Sequence, residues 1–269
     1  MVSFVATPIG NLGDITFRAV ETLKNADEIW CEDTRHTLRL LNAYEIKKPL
    51  FACHKFNERQ AAEKIAVAAQ SGKNIAVVSD AGMPVVSDPG NIVCEVLKEK
   101  GVEYTIVPGA NAALCALILS ALPADKFLFI GFLPEKAGEK RALLEKYKDV
   151  EATLLFHVAP QDVDSDVRAM CEVFGDRRAA AVREITKIHE ESTPFLLSEG
   201  LPGEKRGEYV LVVEGASGKE NPLCALSETE HILHYMRLGY DKKEALKLAA
   251  KDRGVPKSAL YPFSVNLHV

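Results

Sequence analysis

Five short apolar runs, each followed by a helical pattern, occupy the first 120 residues and restrict the chain to a repeated β-α architecture. The runs are Phe4–Thr7, Ile29–Cys31, Leu50–Cys53, Ile75–Ser79 and Thr105–Val107. Ile75–Ser79 is apolar without alternation, as a strand buried on both faces must be. Between the runs, apolar residues recur at helical spacing over Thr16–Asn25, Thr34–Leu41, Ala61–Ala69, Asn91–Lys100 and Ala110–Leu119. Gly101 ends the fourth helix at a left-handed cap position. Strands joined by helices pair in parallel, so a mostly parallel sheet is expected.

The pattern changes after Ala121-Leu122-Pro123-Ala124-Asp125, which reads as a linker. Strands are expected at Phe127–Ile130, Thr153–Phe156, Ala179–Val182, Phe195–Leu197 and Tyr209–Val213, with helices at Ala142–Tyr147 and Val167–Phe174. Strands without intervening helices predict a mixed sheet. From Ser227 the chain is helical, over Glu228–Leu238 and Lys242–Lys251. The predicted organisation is an α/β domain over 1–120, a second over 121–218 and a helical, basic extension over 219–269.

Several chemistries are missing. The 17 glycines contain no G-x-G, which removes the dinucleotide fingerprint. Gly72-Lys73-Asn74 and Gly218-Lys219-Glu220 lack the hydroxyl residue of a phosphate-binding loop. No zinc pattern and no G-x-S-x-G elbow occur, so no metal site is expected. His231 and His234, three apart, read as a solvated helix face. The six cysteines are scattered and mostly in apolar surroundings, as free thiols of a reducing compartment are. No signal-peptide pattern opens the chain, and its longest apolar stretch, Ala112–Leu119, is well short of the ~18–20 residues that span a bilayer. A cytoplasmic location is the expectation.

Unusual residues concentrate in the loops that follow the strands, where open α/β sheets place their ligands. These are Thr7–Asp14, Glu32–Arg35, Ser79–Gly90 and Val107–Ala112. Small residues there let backbone N–H and C=O groups approach a ligand closely. The stretches TPIGNLGDIT, CEDTR, SDAGMPVVSDPG, VPGANA and REITKIHEE resemble the tetrapyrrole methylase superfamily. Within it they are most similar to the bacterial enzymes that modify small-subunit ribosomal RNA. The resemblance runs from about Phe4 to Val213 and extends to Ala259-Leu260-Tyr261. It implies two α/β domains with S-adenosyl-L-methionine between them, 2'-O-methylation of a cytidine in 16S rRNA of the 30S subunit, and a homodimer. The sequence departs from the family pattern at Met83, Asn111, Val158 and Asp162. The last two replace an acid and a base.

Methyl transfer from a sulfonium needs alignment and help with the hydroxyl proton. Glu184 can accept or orient that proton. Lys187 can stabilise the developing alkoxide, or act as the base if desolvation lowers its pKa. Asp33 and Arg35 form a second catalytic candidate, Arg35 gripping an RNA phosphate and Asp33 orienting it. A helix cap at Asp33 or Thr34 is compatible with that role. The resemblance places the cofactor on Pro8, Ile9, Gly10, Ala81, Gly82, Met83, Val86, Asn111 and Ala112, closed over by Phe156, His157, Gly207 and Glu208.

The net charge of -5 argues against coating nucleic acid through bulk charge. Residues 227–269, however, hold seven Lys/Arg against five Asp/Glu. Lys243, Lys247 and Lys251 form a stripe at i, i+4, i+8. Lys136, Lys140 and Arg141 form a second basic group, and Arg177 and Arg178 a third. These, with Arg35, are the expected RNA contacts. Two other readings stay open: C-methylation of a corrin precursor, and a non-catalytic ribosome-binding relative.

Overall fold

The computed structural model describes residues 1–217, 222–265 and 267. Gly218-Lys219-Glu220, and with them the expected boundary at 218/219, lie outside the described residues.

The first half alternates without interruption. Its elements are β1 (Val2–Val5), α1 (Phe17–Asn25), β2 (Glu28–Cys31), α2 (Thr34–Ala43), β3 (Leu50–Ala52), α3 (Glu58–Gln70), β4 (Ile75–Val78), α4 (Asn91–Glu99), β5 (Tyr104–Val107) and α5 (Ala112–Ser120). The strands form one sheet in the order β3-β2-β4-β1-β5, with every pairing parallel. Alternation along each strand divides its side chains between two cores. Val2, Phe4, Ile75 and Val77 pack with Ile65, Val93 and Leu97 of α3 and α4. Val5, Ile29, Ala76 and Val78 pack with Leu23 and Leu41 of α1 and α2. All four residues of β4 are buried, as its unbroken apolar run requires.

The second sheet comprises β6 (Phe127–Phe132), β7 (Thr153–Val158), β8 (Arg178–Arg183), β9 (Glu191–Leu196) and β10 (Tyr209–Val213). Two helices lie among them in sequence, α6 (Ala137–Glu145) and α7 (Val163–Phe174). The strand order is β6-β7-β10-β8-β9. β6 and β7 are parallel and the other pairs antiparallel, the mixed sheet that helix-free connections predict. α6 begins five residues before its expected start. Gly138 and the charged residues around it conceal its first turn from an apolar-period reading.

The link between the sheets is α5, whose sequence AALCALILS is apolar all round. Ala113, Ala116 and Leu117 pack against Leu155, Val182, Val210 and Val212 of the second sheet. A helix that follows the last strand of one sheet is therefore part of the core of the other.

A separate compact unit comprises residues 149–151 and 215–269. It holds α8 (Glu228–Arg237), α9 (Lys242–Asp252) and the short α10 (Lys257–Leu260) around Ile232, Ala245, Leu246, Ala249 and Leu260. Ser227 and Glu230 close a capping box on α8. His231 corrects an expectation: it is fully buried rather than solvated. Its Nε2 lies 3.1 Å from Asp252, and its Nδ1 accepts from Arg253 at 3.2 Å. Partners about 21 residues away leave no trace in a helical period.

The reading of Lys140 is also corrected, and the Arg177–Arg178 group is engaged within the fold although Arg178 stays exposed. Lys140 is buried, and its ammonium pairs with the equally buried Asp166 and donates to Ser165. Burial raises the Asp166 pKa, opposed by the Lys140 hydrogen bond. Arg178 is paired with Glu214, and Arg177 donates to the carbonyls of Lys148 and Glu214. These side chains serve the fold. Truncating one member of a buried pair leaves an uncompensated charge, so Lys140→Ala is expected to cost about 3–5 kcal/mol. Urea unfolding of wild type and variant measures it.

Candidate active site

The four loops converge because their parent strands run parallel and adjacent. Thr7 and Gly82 exchange backbone hydrogen bonds at 2.9 and 3.1 Å, joining the loop after β1 to the loop after β4. The Ser79 hydroxyl donates to the Gly82 carbonyl at 3.1 Å. Asp33 N–H donates to the Asp80 carboxylate at 3.1 Å, tying in the loop after β2. The buried Glu58 accepts from the N–H groups of Gly90 and Ile92 at 2.7 and 2.9 Å, fixing the far end of the β4 loop and the start of α4 to the first turn of α3. Gly109 lies so close to β1 that a Cβ there would stand 2.9 Å from the Ala6 Cβ.

These loops and the second sheet enclose a cavity of about 710 Å³. Of the expected cofactor residues, Ile9, Ala81, Gly82, Met83, Val86, Asn111, Ala112, His157 and Glu208 line it. Asn111 also caps α5, its side chain accepting from Leu114 N–H at 3.0 Å. Phe156 is corrected: it is fully buried, while its strand neighbours Leu155 and His157 line the cavity. Strand alternation sends its ring to the opposite face. Pro8, Gly10 and Gly207 do not line the cavity either. The two glycines instead make room for Lys187 and Glu184. A Cβ on Gly10 would meet Lys187 Cγ at 2.6 Å, and one on Gly207 would meet the Glu184 carboxylate at 2.6 Å.

Glu184 and Lys187 come together as expected. Lys187 Nζ donates to Glu184 at 2.9 Å and to Glu208 at 2.8 Å. Glu184 also accepts from Glu208 N–H at 3.0 Å. That hydrogen bond, and then Lys187, hold the Glu184 carboxyl below its ordinary range. Burial pulls Lys187 downward, but its bonds to Glu208 and Glu184 outweigh burial and leave it raised. Desolvation therefore does not produce a neutral lysine, which corrects the reading of Lys187 as a base. Thr186 carries the tight turn between the pair. Its N–H donates to Glu190 at 2.7 Å, and its hydroxyl accepts from Asn11 N–H at 3.1 Å.

The site loops are strained. Val85, Ser87, Glu184 and Thr186 have φ of 76°, 66°, 49° and 68°. Such conformations are unfavourable for Val and Thr and persist where surrounding bonds enforce them.

Asp33 caps α2 by accepting from Arg35 N–H at 2.8 Å and also grips the Arg35 guanidinium, at 3.2 and 2.8 Å. Those bonds hold the Asp33 carboxyl far below its usual range. Capping and orientation thus coexist. The cavity wall itself carries Glu32 rather than Asp33 or Arg35.

Three cavity carboxylates escaped the sequence reading: Glu32, Asp80 and Asp88. Their loops were recognised for small residues and turns, and the acids bracketing those turns were the available signal. Burial, then Glu32 and Asp80, pushes Asp88 up to about 6. Burial and Asp80 also raise Glu32. Burial lowers His157, against the pull of Glu208. Val158 lines the cavity, and Asp162 precedes α7 without making a side-chain cap bond.

Comparison with known proteins matches residues 1–201 to the family of tetrapyrrole (corrin/porphyrin) methylases. The chain is 43% identical over 266 residues to ribosomal RNA small subunit methyltransferase I of Halalkalibacterium halodurans, covering 96% of this chain and 92% of that protein. The Bacillus subtilis protein of the same name is 44% identical over 266 residues, covering 96% and 91%. The fold is similar to that of uroporphyrin-III C-methyl transferase from Thermus thermophilus, solved with S-adenyl homocysteine. The TM-score is 0.57 at 19% identity, covering 78% of this chain and 96% of that one.

Asp88 gives a signed pH dependence. A carboxyl whose folded pKa is raised stabilises the fold at low pH, and that contribution is lost as pH rises through about 6. Asp88→Asn is expected to leave Tm unchanged near pH 4 and to raise it by a few degrees above about pH 7. Thermal melts across that range test it.

Proposed function

The chain belongs to the tetrapyrrole (corrin/porphyrin) methylase family, and on that premise we propose that it moves a methyl group from S-adenosyl-L-methionine to the 2'-oxygen of a cytidine ribose in 16S rRNA. The reading rests on two relatives above 40% identity whose names specify small-subunit ribosomal RNA, joined to an intact Glu184–Lys187–Glu208 cluster.

The cavity suits the cofactor. Its volume is that of a small-molecule site, with apolar walls at Ile9, Leu114 and Phe129 and with carboxylates for a cationic ligand. Ala81, Gly82, Met83, Val86, Asn111, Ala112 and His157 would hold it. S-adenosyl-L-methionine supplies an electrophilic methyl group on a sulfonium whose leaving thioether is neutral. The protein must therefore align the ribose hydroxyl and manage its proton. Alignment accounts for up to ~7–11 kcal/mol of such a barrier. Glu208 faces the cavity, accepts the hydroxyl hydrogen bond and takes the proton as the oxygen–methyl bond forms and the methyl–sulfur bond breaks. Lys187 stays protonated between two carboxylates, steadies Glu208 and offers positive charge to the developing alkoxide. Glu184 fixes Lys187 and the Glu208 backbone.

Arg35, Lys136 and Arg141 on the body, and Lys243, Lys247 and Lys251 on α9, are exposed and supply the RNA contacts. Ile118 of α5, and Tyr104 and Ile106 of edge strand β5, are exposed apolar surface that supports a homodimer. A cytoplasmic location follows from a ribosomal substrate. No described helix is long and apolar enough to cross a membrane.

The decisive assay combines the protein, labelled S-adenosyl-L-methionine and 30S subunits lacking the modification. Label in a cytidine 2'-O-methyl group is expected. No transfer to the subunits selects another reading, and a parallel reaction offering a corrin precursor separates C-methylation from an inert binding protein. Glu184→Gln and Lys187→Ala are expected to bind S-adenosylhomocysteine normally by calorimetry and to lose transfer by at least ~100-fold. Wild-type turnover in both would remove the cluster from the mechanism. Neutralising Lys243, Lys247 and Lys251 together should weaken RNA binding and reduce its salt slope by about 0.7–0.9 per lost phosphate contact, with cofactor affinity intact.

A further inference from the structure

The outer edge of the first sheet carries exposed side chains that the methyl-transfer chemistry leaves unused. Phe56, in the turn between β3 and α3, is 85% exposed. A lone exposed apolar residue is ordinary, but this one is presented by a fastened turn. Asn57 Oδ1 accepts from His54 N–H at 2.8 Å, Asn57 Nδ2 donates to the Ala52 carbonyl at 3.1 Å, and Asn57 N–H donates to the His54 carbonyl at 2.9 Å. Lys55 Nζ lies 5.0 Å from the centre of the Phe56 ring, and the His54 ring meets it edge-on at 6.1 Å.

The surroundings are cationic. β3 runs parallel to β2, with Trp30 opposite Phe51 and Cys31 opposite Ala52. The loops after both strands therefore leave by the same edge. Residues 33–39 and 54–59 hold Arg35, Arg39, Lys55 and Arg59 against two acids. Of those acids, Asp33 orients Arg35, and Glu58 is buried on the Gly90 and Ile92 amides. The edge is next to the cavity, since the cavity-lining Glu32 is within electrostatic reach of Lys55 and His54.

When the nucleotide whose ribose enters the cavity leaves the stack, a neighbouring base loses its partner. Single-stranded RNA replaces such lost stacking with protein aromatics and places its phosphates on nearby cations. We propose that Phe56 is the stacking platform for an unpaired base flanking the target nucleotide, with Lys55, Arg59 and Arg35 holding the adjoining phosphates. This rests on the ribosomal RNA reading above and assigns part of the substrate grip to the first sheet.

The test is steady-state methylation of 30S subunits and of protein-free 16S rRNA by Phe56→Ala, Phe56→Leu and Phe56→Trp, with S-adenosylhomocysteine calorimetry on each. Alanine and leucine are expected to raise KM for RNA roughly 5- to 100-fold with kcat and cofactor affinity near wild type. Tryptophan is expected to restore KM. An unchanged KM in Phe56→Ala, or full function in Phe56→Leu, overturns the platform. So does a KM effect confined to intact subunits, which would assign the face to a ribosomal protein. A wild-type protein inert on all ribosomal RNA overturns the functional reading and the platform with it.

Discussion

Helix α5 follows the first sheet in sequence and packs on the second. Its cap is Asn111, at the end of the loop after β5, and Ala113, Ala116 and Leu117 are buried against β7, β8 and β10. A cavity-lining loop is thereby bonded directly to an element embedded in the opposite sheet. The cavity exists because that helix buries its inner face on the second sheet while its cap belongs to a loop of the first. Small residues at 113 and 116 allow the close packing, and the loops of the first sheet are carried to the strands that hold Glu184 and Glu208.

Within that frame the site is held by backbone bonds and close approaches more than by side-chain bulk. Thr7 and Gly82 pair two loops, Asp80 holds a third, and Glu58 pins the end of the longest. Positive φ at Val85, Ser87, Glu184 and Thr186 is tolerated because each of those turns is anchored at both ends. Glu184 and Lys187 depend on the same economy of space. Lys187 crosses Gly10 and Glu184 crosses Gly207, where any Cβ would collide.

Electrostatics divides the ionisable groups into two sets. Lys187 is bonded to both Glu184 and Glu208, so the lysine stays charged although partly buried. Across the cavity, burial and the neighbouring carboxylates raise Glu32 and Asp88, although His54 and Lys55 oppose the rise at Glu32. One wall thus adjoins a fixed ion cluster and the other carries three carboxylates.

The β-α alternation, the change to a mixed sheet after residue 121 and the loop motifs were legible in the sequence, because periods of 2 and 3.6 and runs of Pro and Gly are local properties. So was the pairing of Glu184 with Lys187, three residues apart. Distances across the chain were not legible. Lys140 looked like a surface base until Asp166 buried it, His231 looked solvated until Asp252 and Arg253 enclosed it, and Phe156 looked like a cofactor wall until strand register turned it away. The state of Lys187 also depended on Glu208, 21 residues further on. Local sequence determined which elements form and where their loops fall. Only the tertiary structure decided which charges are paired, because burial and pairing depend on neighbours that chain order does not specify.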